Sequence, residues 1–317
     1  MGSFLNKLFQ RFTGRQSQKP GEIHLAVFGK HPGWDDHVEI GLDTENLAAL
    51  RQSLYVEGIA GNIDGGKWNS LAPEGRITEF DHSMLWCMKN EIHAARLWSS
   101  RDGKGRDRYP LVACAQCTGM PLPWVARVAI PVLDRLRVQC QETTSAEGVT
   151  TAVAESLNEL RSLAAARQAS VDAEPDPPAL PLLLNHPELG ENHRGLLAAI
   201  YHLERTAAGD PAHLRVPACA DTFTDAAQVW LRFLLDRGGV CLPVIAIQST
   251  AAFWLDLIIG TPRIGDFFCF LASPAALPLT TDIPYTLEPA FIAQARASLG
   301  LPPDPSTATP SPTPAPS

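Results

Sequence analysis

Seven consecutive residues near the start of the chain, HPGWDDH at positions 31–37, carry side chains suited to metal binding or proton transfer. Imidazole nitrogens and carboxylate oxygens are frequent ligands of transition metals in proteins. In metal-dependent hydrolases, such ligands hold a water molecule whose pKa the metal ion lowers. One hypothesis is therefore a metal-dependent hydrolase. Its candidate ligands are His31, Asp35, Asp36 and His37.

The same segment also has the composition of a structural or recognition loop. Pro32 and Gly33 favour a turn, and an aspartate that follows them can accept hydrogen bonds from backbone N–H groups. The ligand spacing matches no known zinc motif, so a metal site would need further ligands from elsewhere in the chain. The distant candidates are His24, Asp81, His82 and His93.

Two other motifs fall short of known catalytic or cofactor sites. GNIDGGKW, residues 61–68, has the spacing of a phosphate-binding loop, but Trp68 stands where a Ser or Thr hydroxyl would bind magnesium. Cys114 and Cys117 form one C-x-x-C in an apolar run that indicates a strand, where residues three apart point to opposite faces. We therefore expect no ATPase activity and no cofactor.

The segment RDGKGRDR, residues 101–108, combines four basic and two acidic side chains with two glycines. Arginines in such a loop can recognise phosphate or carboxylate groups through paired hydrogen bonds. The alternative is a solvated turn between two strands. The local sequence favours neither interpretation over the other.

The composition indicates a soluble globular protein, with 45% hydrophobic and 19% charged residues among 317. The net charge of −8, from 26 basic and 34 acidic residues, argues against broad nucleic-acid binding. Seven cysteines are an odd number, and the start of the chain lacks the pattern of a secretory signal. These features predict reduced cysteines and a cytoplasmic location.

The first twenty residues have no acidic side chain and a basic amphipathic pattern. They are too short and too interrupted to span a bilayer. Such a segment is a frayed terminal helix, a contact with an anionic membrane surface, or a helix that docks into the groove of a partner. The apolar residues that would make this contact are Phe4, Leu8 and Phe12.

The elements that position these motifs begin with a buried strand, HLAVFG. We expect a helix next, capped by Asp43 and ending at Gly58 and Gly61. The runs MLWCMKNEIHAARLWSS and YPLVACAQC predict an antiparallel hairpin and a further strand. The loops at 31–37 and 101–108 therefore both lie at strand ends.

Residues 123–238 show mainly helical periodicity, including a helix that Thr224 can cap. VCLPVIAIQST, AFWLDLIIG and DFFCFLAS then indicate three short buried strands. The predicted fold is mixed α/β, of the α+β type, with a mostly antiparallel sheet and the middle helices as a layer or insertion. The alternative is two separate domains. Residues 299–317 are rich in Pro, Ser and Thr and predict a disordered tail.

Two segments resemble signatures of one known family. FGKHPGWDDHVEIGL resembles the N-terminal signature of the TagF (ImpM) proteins of bacterial type VI secretion, an aromatic-Gly-Lys-x-Pro run followed by Gly-Asp-Phe. Asp35 and His37 depart from that pattern, at its Gly and Phe positions. The matching residues are Gly29, Lys30, Pro32 and Asp36.

The second segment, GRDRYPLVA, resembles the Gly-Arg followed by aromatic-Pro-Leu of the same family. Asp107 and Arg108 are inserted between its two halves. The matching residues are Gly105, Arg106, Tyr109, Pro110 and Leu111.

This resemblance implies a longin-like fold over residues 21–298, enlarged by the helical middle. It also implies a cytoplasmic regulator without catalytic activity, which restrains assembly of the secretion apparatus after translation. The implied partners are proteins of the threonine-phosphorylation pathway, including its forkhead-associated scaffold. The residues expected to bind a partner or to order the loop are Lys30, Asp35, Asp36, Arg106 and Tyr109.

Overall fold

The computed structural model of the chain describes residues 21–169, 179–189, 193–207, 210–238, 243–283 and 286–303. The basic start at residues 1–20 and the tail beyond residue 303 lie outside the described residues. None of the described helices combines the length and the apolar character that crossing a bilayer requires.

The described part of the chain contains a single eight-stranded sheet. Its strands are β1 (Ile23–Lys30), β2 (His37–Ile40), β3 (Asp81–Met88), β4 (Glu91–Trp98), β5 (Leu111–Thr118), β6 (Ala212–Pro217), β7 (Val244–Ser249) and β8 (Trp254–Ile259). Their order is β2-β1-β5-β4-β3-β7-β8-β6, and all neighbours are antiparallel. The β3–β7 pairing joins strands from both ends of the chain.

The helices of the described residues are α1 (Glu45–Leu50, then π-helical Arg51–Ala60, then Gly61–Asp64), α2 (Leu122–Trp124, then π-helical Val125–Ala129, then Ile130–Glu142), α3 (Ala146–Ala169), α4 (Ala179–Leu184), α5 (Arg194–Ala207), α6 (Phe223–Gly238) and α7 (Pro289–Ser298). In α1 and α2, a π-helical segment lies between two α-helical segments. Short 3₁₀ helices span Pro73–Gly75, Pro187–Leu189 and Ile264–Leu271.

Both faces of the sheet are covered. Val27 lies in the core shared with α2, α3, α5 and α6, whereas its neighbour Phe28 lies in the core shared with α1 and the 3₁₀ helix Ile264–Leu271. Successive strand residues point to opposite faces, so a strand buried on both sides has a continuous apolar run instead of an alternating pattern. This arrangement confirms the predicted mixed α/β class with an antiparallel sheet.

The pair Cys114 and Cys117 is split by the sheet, as the strand interpretation predicted. Cys114 lies in the core under α1, and Cys117 lies in the core on the other face. Burial raises the pKa of both thiols, so neither is poised to act as a thiolate.

The strand assignment from sequence was wrong in three places. DFFCFLAS forms the 3₁₀ helix Ile264–Leu271, whose first turn is closed by Asp266 accepting the N–H of Arg263 at 2.7 Å. Strand β6 interrupts the middle region that was predicted to be helical, and β2 was not predicted. Both missed strands are short and contain charged side chains, so they lack the apolar run that marks the central strands.

Helix α1 begins and ends at other residues than expected. Thr44, and not Asp43, caps it by accepting the N–H of Leu47 at 3.1 Å. The helix continues through Gly58, where a β-carbon would lie 2.5 Å from the ring of Phe267. Glycine at that position therefore permits close packing and does not end the helix. The end comes at Asp64.

The N-terminal cap of α6 also differs from the prediction. The N–H of Asp225 donates to the hydroxyl of Thr222 at 3.2 Å, so the capping side chain belongs to Thr222 and not to Thr224. Thr222 provides the same hydroxyl group as Thr224 but two residues earlier in the chain, and the helix accordingly starts at Phe223.

Candidate functional site

A buried lysine joins the two loops that the sequence singled out. Lys30 ends β1 opposite His37 of β2, and its side chain is only 3% exposed. Its ammonium nitrogen donates to Asp36 at 2.6 Å and to Asp102 at 2.9 Å. A buried ammonium group is costly unless it is paired and hydrogen-bonded, and these two carboxylates provide that pairing.

Asp102 is the centre of this cluster, and its side chain is fully buried. One carboxylate oxygen accepts the backbone N–H groups of Lys104 and Arg106, each at 3.0 Å. The other accepts Lys30 Nζ and, at 2.7 Å, Arg106 Nε. Burial alone would raise the pKa of Asp102, but these hydrogen bonds hold it well below its usual range.

Arg106 closes the arrangement from the solvent side. Its guanidinium donates to the backbone oxygen of Asp35 at 2.7 Å and lies 3.4 Å from the carboxylate of Asp36. The N–H of Gly103 donates to the backbone oxygen of Trp34 at 2.7 Å. Residues 31–36 and 101–106 are thus tied together at several points, and we call them the paired loops.

The two aspartates of the HPGWDDH segment have different environments. Asp36 accepts the hydrogen bond of Lys30, which lowers the pKa of the Asp36 carboxyl from 3.8 to about 2. The side chain of Asp35 is 79% exposed and lies 3.8 Å from the ammonium of Lys104. Asp36 therefore helps to hold the paired loops together, whereas Asp35 is presented to solvent.

His31 anchors the first loop to helix α2. The N–H of Gly33 donates to His31 Nδ1 at 3.0 Å, and His31 Nε2 lies 2.9 Å from the backbone oxygen of Cys140. Nδ1 accepts, so the proton is on Nε2, which donates to that oxygen. Both ring nitrogens of this buried histidine are therefore engaged within the protein.

His37 and Tyr109 form the aromatic side of the site. Their rings lie edge to face with centroids 5.5 Å apart, and the hydroxyl of Tyr109 donates to Asp64 at 2.7 Å. Burial, together with the nearby Lys30, lowers the pKa of His37. Tyr109 thus connects His37, at the start of β2, to the end of α1.

The hypothetical metal ligands do not share one centre. Among the described residues, the only group of three possible ligands with atoms within 4.8 Å of one another is His213, Asp256 and Cys269. Of the distant candidates, His82 is fully buried, and burial lowers its pKa to about 4. His93 lies against Glu91 in the core, and Asp81 pairs with Arg96.

The group His213, Asp256 and Cys269 already contains a cation. Arg215 donates to both carboxylate oxygens of Asp256, each at 2.9 Å, and also to the backbone oxygen of Cys269. Burial would raise the pKa of Asp256, but the hydrogen bonds of His213 and Arg215 lower it. A metal ion would have to displace this guanidinium, so we interpret the group as a buried ion pair.

The structure brings together Lys30, Asp36 and Arg106, which the sequence selected, and adds Asp102, which it did not. The signal for Asp102 was weak, since an aspartate before Gly103 resembles an ordinary turn residue. Only the folded structure shows that Asp102 accepts four hydrogen bonds, two of them from side chains on different segments of the chain.

The paired loops therefore form an ordered surface with charges of both signs. Comparisons with known proteins assign no function to these residues. A scan against protein-family models and a search of curated proteins both found no match to this chain.

Proposed function

We propose that the chain is a non-catalytic regulator of the TagF (ImpM) type, which binds protein partners through the paired loops. The observation that carries this proposal is the convergence of Lys30 and Arg106 on the carboxylate of Asp102, with Asp36 accepting a hydrogen bond from each of the two cations. The first three of these residues belong to the two segments that resemble the family signatures. A longin-like fold for the α/β domain is part of the same proposal.

The two signature-like segments also pack against each other through their glycine and proline. Gly29 has φ of +127°, and a β-carbon there would lie 2.2 Å from the backbone oxygen of Pro110. The N–H of Lys30 donates to that same oxygen at 3.2 Å. Glycine is required at this position, which gives a physical reason for its place in the pattern.

The chemistry of the cluster favours binding over catalysis. Lys30, Asp36, Asp102 and Arg106 form ion pairs with one another, so each is already engaged within the cluster. What the loops present to solvent is a set of charged side chains held on an ordered backbone. Such surfaces contribute electrostatic complementarity, which mainly sets the specificity and the rate of protein association.

The proposed setting is the cytoplasm, where the partner is a component of the threonine-phosphorylation pathway or its forkhead-associated scaffold. The net charge of −8 fits a protein partner better than a nucleic acid. Contact of Phe4, Leu8 and Phe12 with the inner membrane would place the protein near the secretion apparatus.

The proposal is tested by deleting the gene in its native host and measuring assembled secretion sheaths and secreted substrate. We expect more assembly in the deletion strain, and restoration by the unaltered protein. Unchanged assembly and secretion after deletion would contradict the regulatory role. A complemented strain carrying Lys67→Glu, an exposed substitution outside the paired loops, controls for expression.

A further inference from the structure

An apolar groove lies between three helices on the face of the sheet opposite α1. It has a volume of about 950 Å³ and is bounded by the first turns of α2, by α4 and by α6. Leu182 on α4 is 48% exposed there, and Val128, Val229 and Leu235 are half-buried. Apolar patches that are rimmed by polar residues commonly mark interaction sites.

One wall of the groove is a single stripe along α6. Its lining residues recur every three or four positions from Asp225 to Asp236, which is the spacing of one helix face. At 1.5 Å per residue this stripe is about 16 Å long, which is the length of about three helical turns. The groove therefore has the length that a short amphipathic helix needs for docking along its apolar face.

Residues 1–20 are attached to the rest of the chain close to this groove. The N–H of Gly21 donates to the backbone oxygen of Thr118 at 2.8 Å, at the end of β5. Pro121, which lines the groove, follows Thr118 by three residues, or at most about 11 Å of chain. Arg161 of α3 donates to the backbone oxygen of Ile23 at 3.1 Å, and Arg167 of the same helix also lines the groove. The point of attachment thus lies at the groove's end of the sheet.

The residues before Gly21 have the sequence pattern that the groove requires. Over residues 4–12, large apolar side chains recur at helical spacing, so a helix there would be about 14 Å long with one apolar face. Residues 13–20 can span up to roughly 26 Å, which is enough to bring that helix to the groove. A tether of this kind also gives the segment a high effective concentration there. The apolar residues are Phe4, Leu5, Leu8, Phe9 and Phe12.

Net charge also favours association of this segment with the rest of the chain. Residues 1–20 hold four of the 26 basic residues and none of the 34 acidic ones, so the rest of the chain has 22 basic and 34 acidic residues, a net charge of −12. Opposite net charges attract over long distances. The rim of the groove carries both signs, with Asp225 and Asp236 beside Arg127 and Arg232. Apolar contacts must therefore supply most of the affinity.

We propose that residues 4–12 dock into this groove of the same chain as an amphipathic helix, with Phe4, Leu8 and Phe12 against its apolar surface. The basic side chains of the segment then face the rim and the solvent. The three apolar side chains cannot contact the inner membrane while they occupy the groove, so the two contacts exclude each other. The inference does not depend on the regulatory role of the paired loops.

Hydrogen exchange of the full chain, measured by mass spectrometry, tests the docking from the side of the segment. A helix of this length is not stable alone in water, so slow exchange of its amides reports docking. We expect the amides of residues 8–12 to exchange at least about tenfold more slowly in the full chain than in a synthetic peptide of residues 1–20. This factor should not change over about a tenfold range of protein concentration, because the contact is within one chain.

Two triple variants test which face of the segment docks. Phe4→Ser with Leu8→Ser and Phe12→Ser should return the exchange to the rate of the free peptide, because the apolar contacts are lost. The matched control changes three residues on the opposite face of the predicted helix and should keep the slow exchange. It consists of Asn6→Ser, Gln10→Ser and Thr13→Ser.

Two further variants test the groove itself. Leu182→Asp places a charge in the groove and should also return the segment to the exchange rate of the free peptide. Ile264→Asp is the matched control, since Ile264 is 42% exposed but lies outside the groove, in the 3₁₀ helix on the other face of the sheet. It should keep the slow exchange. Unchanged exchange of β4 and β5 in the same experiment shows that each variant is folded.

Cys219, which is half-buried and lines the groove, reports the docking from the other side. Its alkylation, resolved from that of the other cysteines by peptide mapping, should be at least about tenfold faster when Phe4, Leu8 and Phe12 are changed to Ser. Exchange of the segment at the rate of the free peptide, slow exchange that Leu182→Asp leaves intact, or unchanged alkylation of Cys219 would each overturn the proposal.

Other occupants of the groove would give different results, each of which would also overturn the proposal. Protection of residues 8–12 that increases with protein concentration would assign the groove to the segment of a second copy of the chain. Protection that appears only when anionic lipid vesicles are added would assign the segment to a membrane surface.

Discussion

The ammonium of Lys30 lies 2.9 Å from the buried carboxylate of Asp102, although 72 residues separate them in the chain. Lys30 ends β1, and Asp102 lies in the connection between β4 and β5. Because β1 and β5 are neighbours in the sheet, the two loops meet at one sheet end. The pair therefore links the topology of the sheet to the surface that we propose for partner binding.

Replacement of Lys30 by Met should destabilise the protein, because it leaves the buried carboxylate of Asp102 with Arg106 as its sole cation. We expect thermal denaturation to show a melting temperature lower by at least about 4 °C. Lys104→Met removes a largely exposed ammonium and serves as the matched control. Its free energy of unfolding should change by at most about 0.5 kcal/mol. Equal melting temperatures for both variants would contradict the structural role of Lys30.

The stability that the cluster contributes should depend on acid pH. The pKa of Asp36 falls from 3.8 to about 2 on folding, and that of Asp102 falls further. Groups with a lowered folded-state pKa stabilise the protein above the unfolded value and lose this contribution as the pH falls through the folded value. The stability difference between the unaltered protein and Lys30→Met should therefore shrink between pH 4 and pH 2. Urea unfolding at several pH values measures it, and a constant difference would be inconsistent with the cluster.

Gly29→Ala should destabilise the protein by more than about 1 kcal/mol, because φ of +127° disfavours any side chain and the β-carbon would meet Pro110. Urea unfolding monitored by tryptophan fluorescence gives the free-energy change. Gly105→Ala is a useful comparison, since Gly105 has φ of +79° but no atom within 4 Å of a β-carbon. A larger loss at Gly105 than at Gly29 would show that contact with Pro110 is unimportant.

Arg215→Met should cost about 3–5 kcal/mol of stability, because it leaves the buried carboxylate of Asp256 with His213 as its remaining side-chain partner. Arg135→Met removes an exposed partner of Glu159 and should change stability by at most about 1 kcal/mol. Chemical denaturation compares the two. A small effect at Arg215 would reopen the interpretation of this group as a metal site.

Protein purified without a histidine tag should contain less than about 0.1 equivalent of transition metal, and chelation should leave its melting temperature unchanged. The reason is that His31 uses both ring nitrogens within the protein and Asp36 is held by Lys30. Stoichiometric metal that is lost in a His37→Ala variant would instead support the hydrolase hypothesis.

Apolar runs were sufficient to predict β1, β3, β4, β5, β7 and β8, since these strands are buried on both faces. The same criterion failed for DFFCFLAS, because an apolar run of that length is also compatible with a buried helix. At the site, the family resemblance led to the expectation that Lys30, Asp36 and Arg106 order the loop or bind a partner. The pairing of Lys30 with Asp102 could not be predicted, because it depends on the order of the strands in the sheet, which local sequence patterns do not contain.

The most direct test of the central claim is a pull-down of the forkhead-associated scaffold and kinase components by three versions of the full chain. We predict that the unaltered protein and Lys67→Glu retain the partner. The double variant Asp35→Lys and Lys104→Glu, which reverses two exposed charges on the paired loops, should lose it while keeping its melting temperature. Retention by the double variant, or no capture by the unaltered protein, would contradict partner binding through the paired loops.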